Sequence, residues 1–391
     1  MSFDFDEIIE RKNTDCLKYD NMNVVFGVSD AMPMWIADMD FRTPPFVLET
    51  LRKRLEHEVL GYTFCSPKWR PAIIDWVGRR YAWEVEEHEI GFVGGIVPAI
   101  SFAIQCFTAP GDKVLIQPPV YHPYFHLVKN LGRELVCSPL VNEDGVFNID
   151  FEDFENKVKG CKMFLLCNPH NPGGRVWAPA ELRRIADICA SNGVLVVSDE
   201  IHCDMVLTGY KHTVFASVSE VAEQNSITFM AASKTFNIAG LKSSYHIIKN
   251  EKLRARYNEF LSFSELDCAH MFATQAVATA YNEGEEWLAQ MLKYVEGNIA
   301  FVEEYIKNNL PRFGMMRPQA SYMVFLDARA LGLTQKELVD FFLKEAKVAM
   351  NDGSTFGAEG TGFMRMNIAC PRATLQKALD RIKGAYDKRG F

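Results

Sequence analysis

The segment "AASKTFNIAGLK" sets Lys234 between two small hydroxyl residues, Ser233 and Thr235, with Lys242 further along. It follows "SITFM" (226–230), an apolar run that predicts a buried strand. An ammonium at the exit of such a strand loses hydration, its pKa falls, and the free amine becomes usable as a nucleophile or base. A carboxylate stands in a matching position. "VLVVSDEIHCD" closes another apolar run with Asp199, and burying that charge is costly unless something cationic meets it. A pyridinium nitrogen is such a cation, and an aspartate beside it keeps it protonated, so that the ring can draw electrons from a carbanion. Taken singly, Asp199 would equally serve as a helix cap or in a structural ion pair.

Three further stretches carry groups of the same kind. "LLCNPHNPGGRVW" holds Asn-Pro and Pro-Gly-Gly, which mark a tight turn. Asn168 or Asn171 could set an amide against a ligand hydroxyl there, or satisfy the turn itself. "GFVGGIVPAISFAIQCF" (91–107) opens a helix with Pro98 near its first turn, and backbone N–H groups at such a start suit a phosphate. It matches neither G-x-x-x-x-G-K-[ST] nor G-x-G-x-x-G. "PPVYHPYFH" puts Tyr121 after the run "KVLIQ" (113–117), where its ring could stack on a flat heterocycle or pack in the core. His122 and His126 have i, i+4 spacing, but no further ligand cluster accompanies them and no metal is expected. Amine, carboxylate, amide, phosphate cradle and stacking ring together are what pyridoxal phosphate requires.

These groups need a scaffold that brings them to one place. From Pro71 onward helical patterns alternate with short apolar runs, the signature of a mostly parallel sheet. "KVLIQ", "KMFLLC" (162–167), "VLVVS" (194–198) and "SITFM" read as strands covered on both faces. "PAELRRIADICASNG" (179–193) reads as a helix with Pro179 in its first turn and Gly193 past its end. "SSYHIIKN" (243–250) reads as one more strand. Ligands of open α/β sheets sit beyond the carboxyl ends of the strands, where the groups above fall. After about Asn282 a long helical pattern (283–310) leads into "SYMVFLD" (321–327), a helix from Thr334 and "FMRMNIA" (363–369), a smaller α+β unit. The expected division is an arm over 1–45 packing across the cleft or on a partner subunit, a large domain over 46–285 and a small domain over 286–391.

The 391 residues are 48% hydrophobic and 24% charged, as in ordinary soluble enzymes. A net charge of −8 argues against nucleic-acid or anionic-membrane partners. The acidic start "MSFDFDEIIERK" is unlike a signal peptide, and no apolar run approaches the ~20 residues of a membrane span. Ten cysteines without a CxxC pair suit a reducing, cytoplasmic setting.

On these residues the chain resembles the fold-type-I pyridoxal-phosphate enzymes, and more closely the cystathionine β-lyases and related carbon–sulfur lyases that sit beside the class I/II aminotransferases. The resemblance spans essentially the whole chain and is carried by "MWIADMDF", "GYT" (61–63), "NPHNPGG", "SDEIH" and "SKTFNIAGLK". It implies a mostly parallel central sheet covered by helices, with a smaller C-terminal domain. It further implies that Lys234 carries the cofactor, Asp199 faces its pyridine nitrogen, and Asn171 and His202 approach its phenolic oxygen. Tyr121 would stack on the ring. The N–H groups of Ile96 and Val97, with Ser233 and Lys242, would hold the phosphate, and Tyr62 would reach the phosphate of the other subunit of a homodimer. Arg365 would clamp the substrate α-carboxylate, a task suited to its planar fork. Trp35, Asp38 and Tyr62 come from segments expected to line the substrate cleft. Ala231 stands where many relatives have a phosphate-binding serine, and Lys242 where arginine is common, which implies a different phosphate grip. The implied reaction eliminates a thiol from L-cystathionine or an S-substituted L-cysteine, giving pyruvate and ammonia. The same lysine, aspartate and arginine would also serve an aminotransferase acting on an L-amino acid, and a cofactor-binding regulatory protein is the remaining alternative.

Overall fold

The four apolar runs become adjacent strands of one sheet. In the computed structural model, which describes residues 2–391, the strands are β1 (Ile90–Val93), β2 (Lys113–Ile116), β3 (Glu134–Cys137), β4 (Cys161–Cys167), β5 (Leu195–Asp199), β6 (Ser226–Met230) and β7 (Ser244–Ile247). Their order is β1-β7-β6-β5-β4-β2-β3. The pairs β2–β3, β2–β4, β4–β5 and β5–β6 are parallel. Strand β7, the "SSYHIIKN" run, lies antiparallel to both β6 and β1. Every residue of β5 and β6 is buried, so no polar alternation marks either face. Register fixes the carboxyl edge: Cys167 pairs with Asp199, and Asp199 with Phe229. The turn after β4, the acid ending β5 and the lysine just past β6 therefore share one rim.

Helix α1 (Ile96–Phe107) buries Ile96, Ala99, Ile100, Ala103 and Ile104, the i, i+3, i+4 stripe of a helix lying on a sheet. Helix α2 (Pro179–Ser191) starts at its proline, and Gly193 beyond it takes φ +66°. The long helix α3 (Glu285–Asn309) leads into a second, antiparallel sheet of β8 (Gly314–Met316), β9 (Met323–Asp327), β10 (Asn351–Asp352) and β11 (Phe363–Asn367), ordered β8-β9-β11-β10. Thr334 caps the helix Gln335–Asp340, accepting from the Glu337 N–H.

The N-terminal arm has no core of its own and borrows one. Phe5, Met34 and Met39 join an apolar cluster that also holds Trp76, Trp287, Phe341 and Leu375. Met32–Pro33 pairs with Val348–Ala349, and the Asn367 side chain donates to the carbonyls of Ile36 and Asp38. These bonds tie the stretch Trp35–Met39 to β11, while Asn237, in the turn after β6, binds Met39.

Candidate active site

Lys234 lies on a one-turn helix, Ala232–Thr235, directly after β6. Its flanking hydroxyls divide the work: Ser233 lines the adjoining cavity, while Thr235 Oγ1 donates to buried Asp204 at 2.9 Å. Asp204 also accepts from Trp76 Nε1 at 2.9 Å, and Asn237 binds the carbonyls of Met39 and Phe41. The turn is thus fixed to the core on one side and to the arm on the other. Lys234 Nζ donates to the Ala37 carbonyl at 2.6 Å, and the Tyr322 hydroxyl donates to the same oxygen at 3.0 Å. Burial lowers the Lys234 ammonium to about 8, with Asp38 and Asp199 opposing and Arg365 reinforcing the shift. At pH 7 roughly one amine in ten is then unprotonated, against about three in ten thousand for an ordinary lysine.

Asp199 ends β5 and is 4% exposed. It accepts from the Tyr124 hydroxyl at 2.8 Å and the Ile201 N–H at 3.2 Å. Burial pushes this carboxyl up to about 6, and those two hydrogen bonds only partly offset it. His202 is buried with no partner for Nδ1. Burial pushes it down to about 3, helped by the nearby Lys234 and Arg365 charges, so the ring is neutral. Arg365, on β11 and 3% exposed, donates from Nη1 to Asn171 Oδ1 at 2.9 Å and from Nη2 to Asn351 Oδ1 at 2.7 Å. Its Nε has no partner.

A cavity of ≈ 220 Å³ collects most of the expected residues. Lys234, Asp199, Asn171, His202, Tyr121, Ile96, Val97, Ser233 and Lys242 all line it, and Arg365 reaches it through Asn171. Helix α1 starts at its wall, where Gly95 takes φ +142°, a conformation that L residues rarely adopt. The three remaining candidates are not among the residues lining that cavity. Tyr62 is fully exposed. Trp35 packs edge-on against Phe26 and donates its indole N–H to Lys18, so only its backbone carbonyl meets Arg365. Asp38 is held by Arg11 at 2.8 Å with Lys18 at 3.7 Å. The Trp35 and Asp38 side chains are thus engaged by neighbours near the start of the chain, while Asp38 is also the leading charge opposing the lowered Lys234 pKa.

Tyr124, Tyr322 and Asn351 escaped the sequence reading. Tyr124 had a signal, a second tyrosine one helical turn after Tyr121 at a strand exit. Asn351 had none, since a two-residue strand leaves no pattern.

The residues fit pyridoxal phosphate on their own chemistry. A buried carboxylate has no ion-pair partner among the described residues and would gain one from a pyridinium. The His202 Nδ1 and Ser243 Oγ are buried without partners at the cavity. Ala231 supplies no hydroxyl, but Ser233, Ser243 and Ser244 all line the cavity beside Lys242, so hydroxyls and an ammonium are at hand for a phosphate.

The model of the family described as aminotransferase class I and II matches residues 29–382. The chain belongs to that family. This family member is 45% identical to cystathionine beta-lyase PatB of Bacillus subtilis (strain 168) over 383 residues, covering 97% of this chain and 99% of PatB. Among solved structures it is similar to cystalysin from Treponema denticola, which contains a pyridoxal 5'-phosphate cofactor, at 36% identity and a TM-score of 0.96 over 100% of both chains. It is also similar to a PLP-bound putative aminotransferase from Clostridium difficile 630, at 42% identity and a TM-score of 0.97 over 98% of this chain and 100% of that one. The architecture is the fold-type-I transferase fold, its sheet mixed at β7.

Proposed function

We propose that this protein is a pyridoxal-phosphate-dependent carbon–sulfur β-lyase acting on L-cystathionine or related S-substituted L-cysteines. Lys234, Asp199 and Arg365 around one cavity support amino-acid chemistry on that cofactor. The observation that carries elimination over transamination is the 45% identity to a cystathionine beta-lyase over nearly the full length of both chains.

In this reading Lys234 would hold the cofactor through its amine, Asp199 would meet the pyridine nitrogen, and Asn171 and neutral His202 would meet the phenolic oxygen. Tyr121 would stack on the ring. Ser233, Lys242 and the N–H groups of Ile96 and Val97 would take the phosphate. Bound, the cofactor supplies an electron sink for charge developing at the substrate Cα. Arg365 binds the α-carboxylate and orients the Cα–H toward Lys234 Nζ. Its lowered pKa equips that amine to take the Cα proton. The Ala37 carbonyl gives the amine a fixed partner whenever it is free. The Cβ–S bond breaks, sulfur leaves with the bonding pair, and the proton gathered at Lys234 is at hand for it. In sum, L-cystathionine and water give homocysteine, pyruvate and ammonia.

The domain division stands as part of the proposal: arm 1–45, large domain 46–285, small domain 286–391. So does a cytoplasmic homodimer in which Tyr62 serves the other subunit's phosphate. Exposed Val59, Leu60, Tyr62 and Phe64 on one segment support a partner there. No helix among the described residues is long and apolar enough to cross a membrane.

Cofactor-loaded protein given S-methyl-L-cysteine is expected to release pyruvate continuously, and its Lys234→Ala variant none. Undiminished release by that variant would remove Lys234 from the chemistry.

A further inference from the structure

Arg365 is a buried cation surrounded by neutral acceptors. Nη1 binds Asn171 Oδ1 at 2.9 Å, and Nη2 binds Asn351 Oδ1 at 2.7 Å and the Trp35 carbonyl at a longer 3.3 Å. The guanidinium rests on the Phe356 ring, 4.9 Å from its centroid. Among the described residues no carboxylate forms an ion pair with it, and Tyr121 and Tyr322 oppose the effect of burial on its charge. Buried arginines are ordinarily paired with an anion, because desolvating a lone charge is costly. The place for one exists. Asn351 lies directly across the β10–β11 ladder from Arg365, where an aspartate of the same shape would form a cross-strand ion pair. The chain carries the amide instead. Its Nδ2 donates to no protein group among the described residues, so the amide is not there to satisfy another acceptor of the chain.

We propose that Asn351 is a positioning residue for substrate selection: it fixes the plane of the Arg365 guanidinium while leaving the charge uncompensated, so that the α-carboxylate of an amino acid becomes its counter-ion. This rests on the reading that Arg365 binds that carboxylate. Asparagine and aspartate hold the guanidinium alike, and they differ only in whether the charge remains available.

The test is glycine, which has the carboxylate but no leaving group, titrated into cofactor-loaded protein by the change in cofactor absorbance. It is paired with the thermal midpoint of each apoprotein. Asn351→Asp is expected to raise the glycine Kd about thirtyfold or more, since a like charge then faces the ligand, while the apoprotein midpoint stays level or rises. Asn351→Ala is expected to raise Kd by only about threefold and to lower the midpoint, through a lost hydrogen bond. Equal Kd effects of the two substitutions would make Asn351 a merely structural residue and overturn the proposal. A midpoint of Asn351→Asp below that of Asn351→Ala would overturn it too, since the new carboxylate would then not be meeting Arg365. Arg365→Ala separates the underlying reading: if it leaves glycine binding unchanged, the carboxylate site itself is elsewhere.

Discussion

Replacing Asp199 by asparagine tests whether the site is built to receive a cation. Burial moves this carboxyl from 3.8 to about 6. At about 1.4 kcal/mol per pH unit, the ionised side chain costs the cofactor-free fold about 3 kcal/mol. The sign follows from which form the fold prefers. A raised pKa means that folding favours the protonated acid, so the contribution is full below pH 3.8 and is lost as pH rises through about 6. Asparagine is neutral throughout, and it keeps an acceptor for Ile201 while the Tyr124 hydroxyl can turn to accept. The Asp199→Asn apoprotein is therefore expected to be more stable than the parent by about 3 kcal/mol at pH 7.5, with the gain shrinking toward zero near pH 4. Urea denaturation of both apoproteins at several pH values, at one protein concentration, measures the difference. With saturating pyridoxal phosphate the order is expected to reverse, because the parent then has a pyridinium beside its carboxylate and the variant does not. Equal apoprotein stabilities at pH 7.5, or a gain that does not change with pH, would refute the reasoning.

Three shorter tests follow from the same geometry. Tyr124→Phe removes a hydrogen bond donated to a buried carboxylate, which is expected to cost about 2 kcal/mol at neutral pH and only about 1 kcal/mol in an Asp199→Asn background, where the hydroxyl makes a neutral hydrogen bond, as read by the same denaturation. Gly95→Ala forces a side chain onto φ +142° at the start of α1, a cost of about 1–3 kcal/mol, and is expected to weaken pyridoxal phosphate binding about tenfold or more in an equilibrium titration. Labelling of Lys234 in the apoprotein by an amine-reactive reagent, read by peptide mass spectrometry, is expected to rise with pH around a midpoint near 8; a midpoint in the ordinary lysine range would mean that its amine is fully hydrated.

What could be read in the sequence follows from how the sheet is built. Strands covered on both faces leave continuous apolar runs, so β2, β4, β5 and β6 were visible, and the polar residues just past them, Asp199, Asn171, Tyr121 and Lys234, fall on the binding rim. Strand direction is not written in an apolar run, and β7 is antiparallel although it reads like its neighbours. Pairings made across hundreds of residues were equally silent. Tyr322 and Lys234 share the Ala37 carbonyl only because the stretch around Ala37 lies against both, and Asn351 meets Arg365 only because a two-residue strand lies beside β11. Trp35 and Asp38 also have side-chain partners that the sequence does not signal. They come from the right segment, but Phe26, Lys18 and Arg11, all within the arm, claim their side chains.

The most direct measurement is product stoichiometry from L-cystathionine, using purified cofactor-loaded protein and no added keto acid. Pyruvate and homocysteine are expected in equal amounts over many turnovers, with ammonia alongside. No pyruvate from cystathionine or from S-substituted cysteines, together with amino exchange that depends on an added keto acid, would contradict the lyase assignment and make this protein an aminotransferase with the same cofactor site.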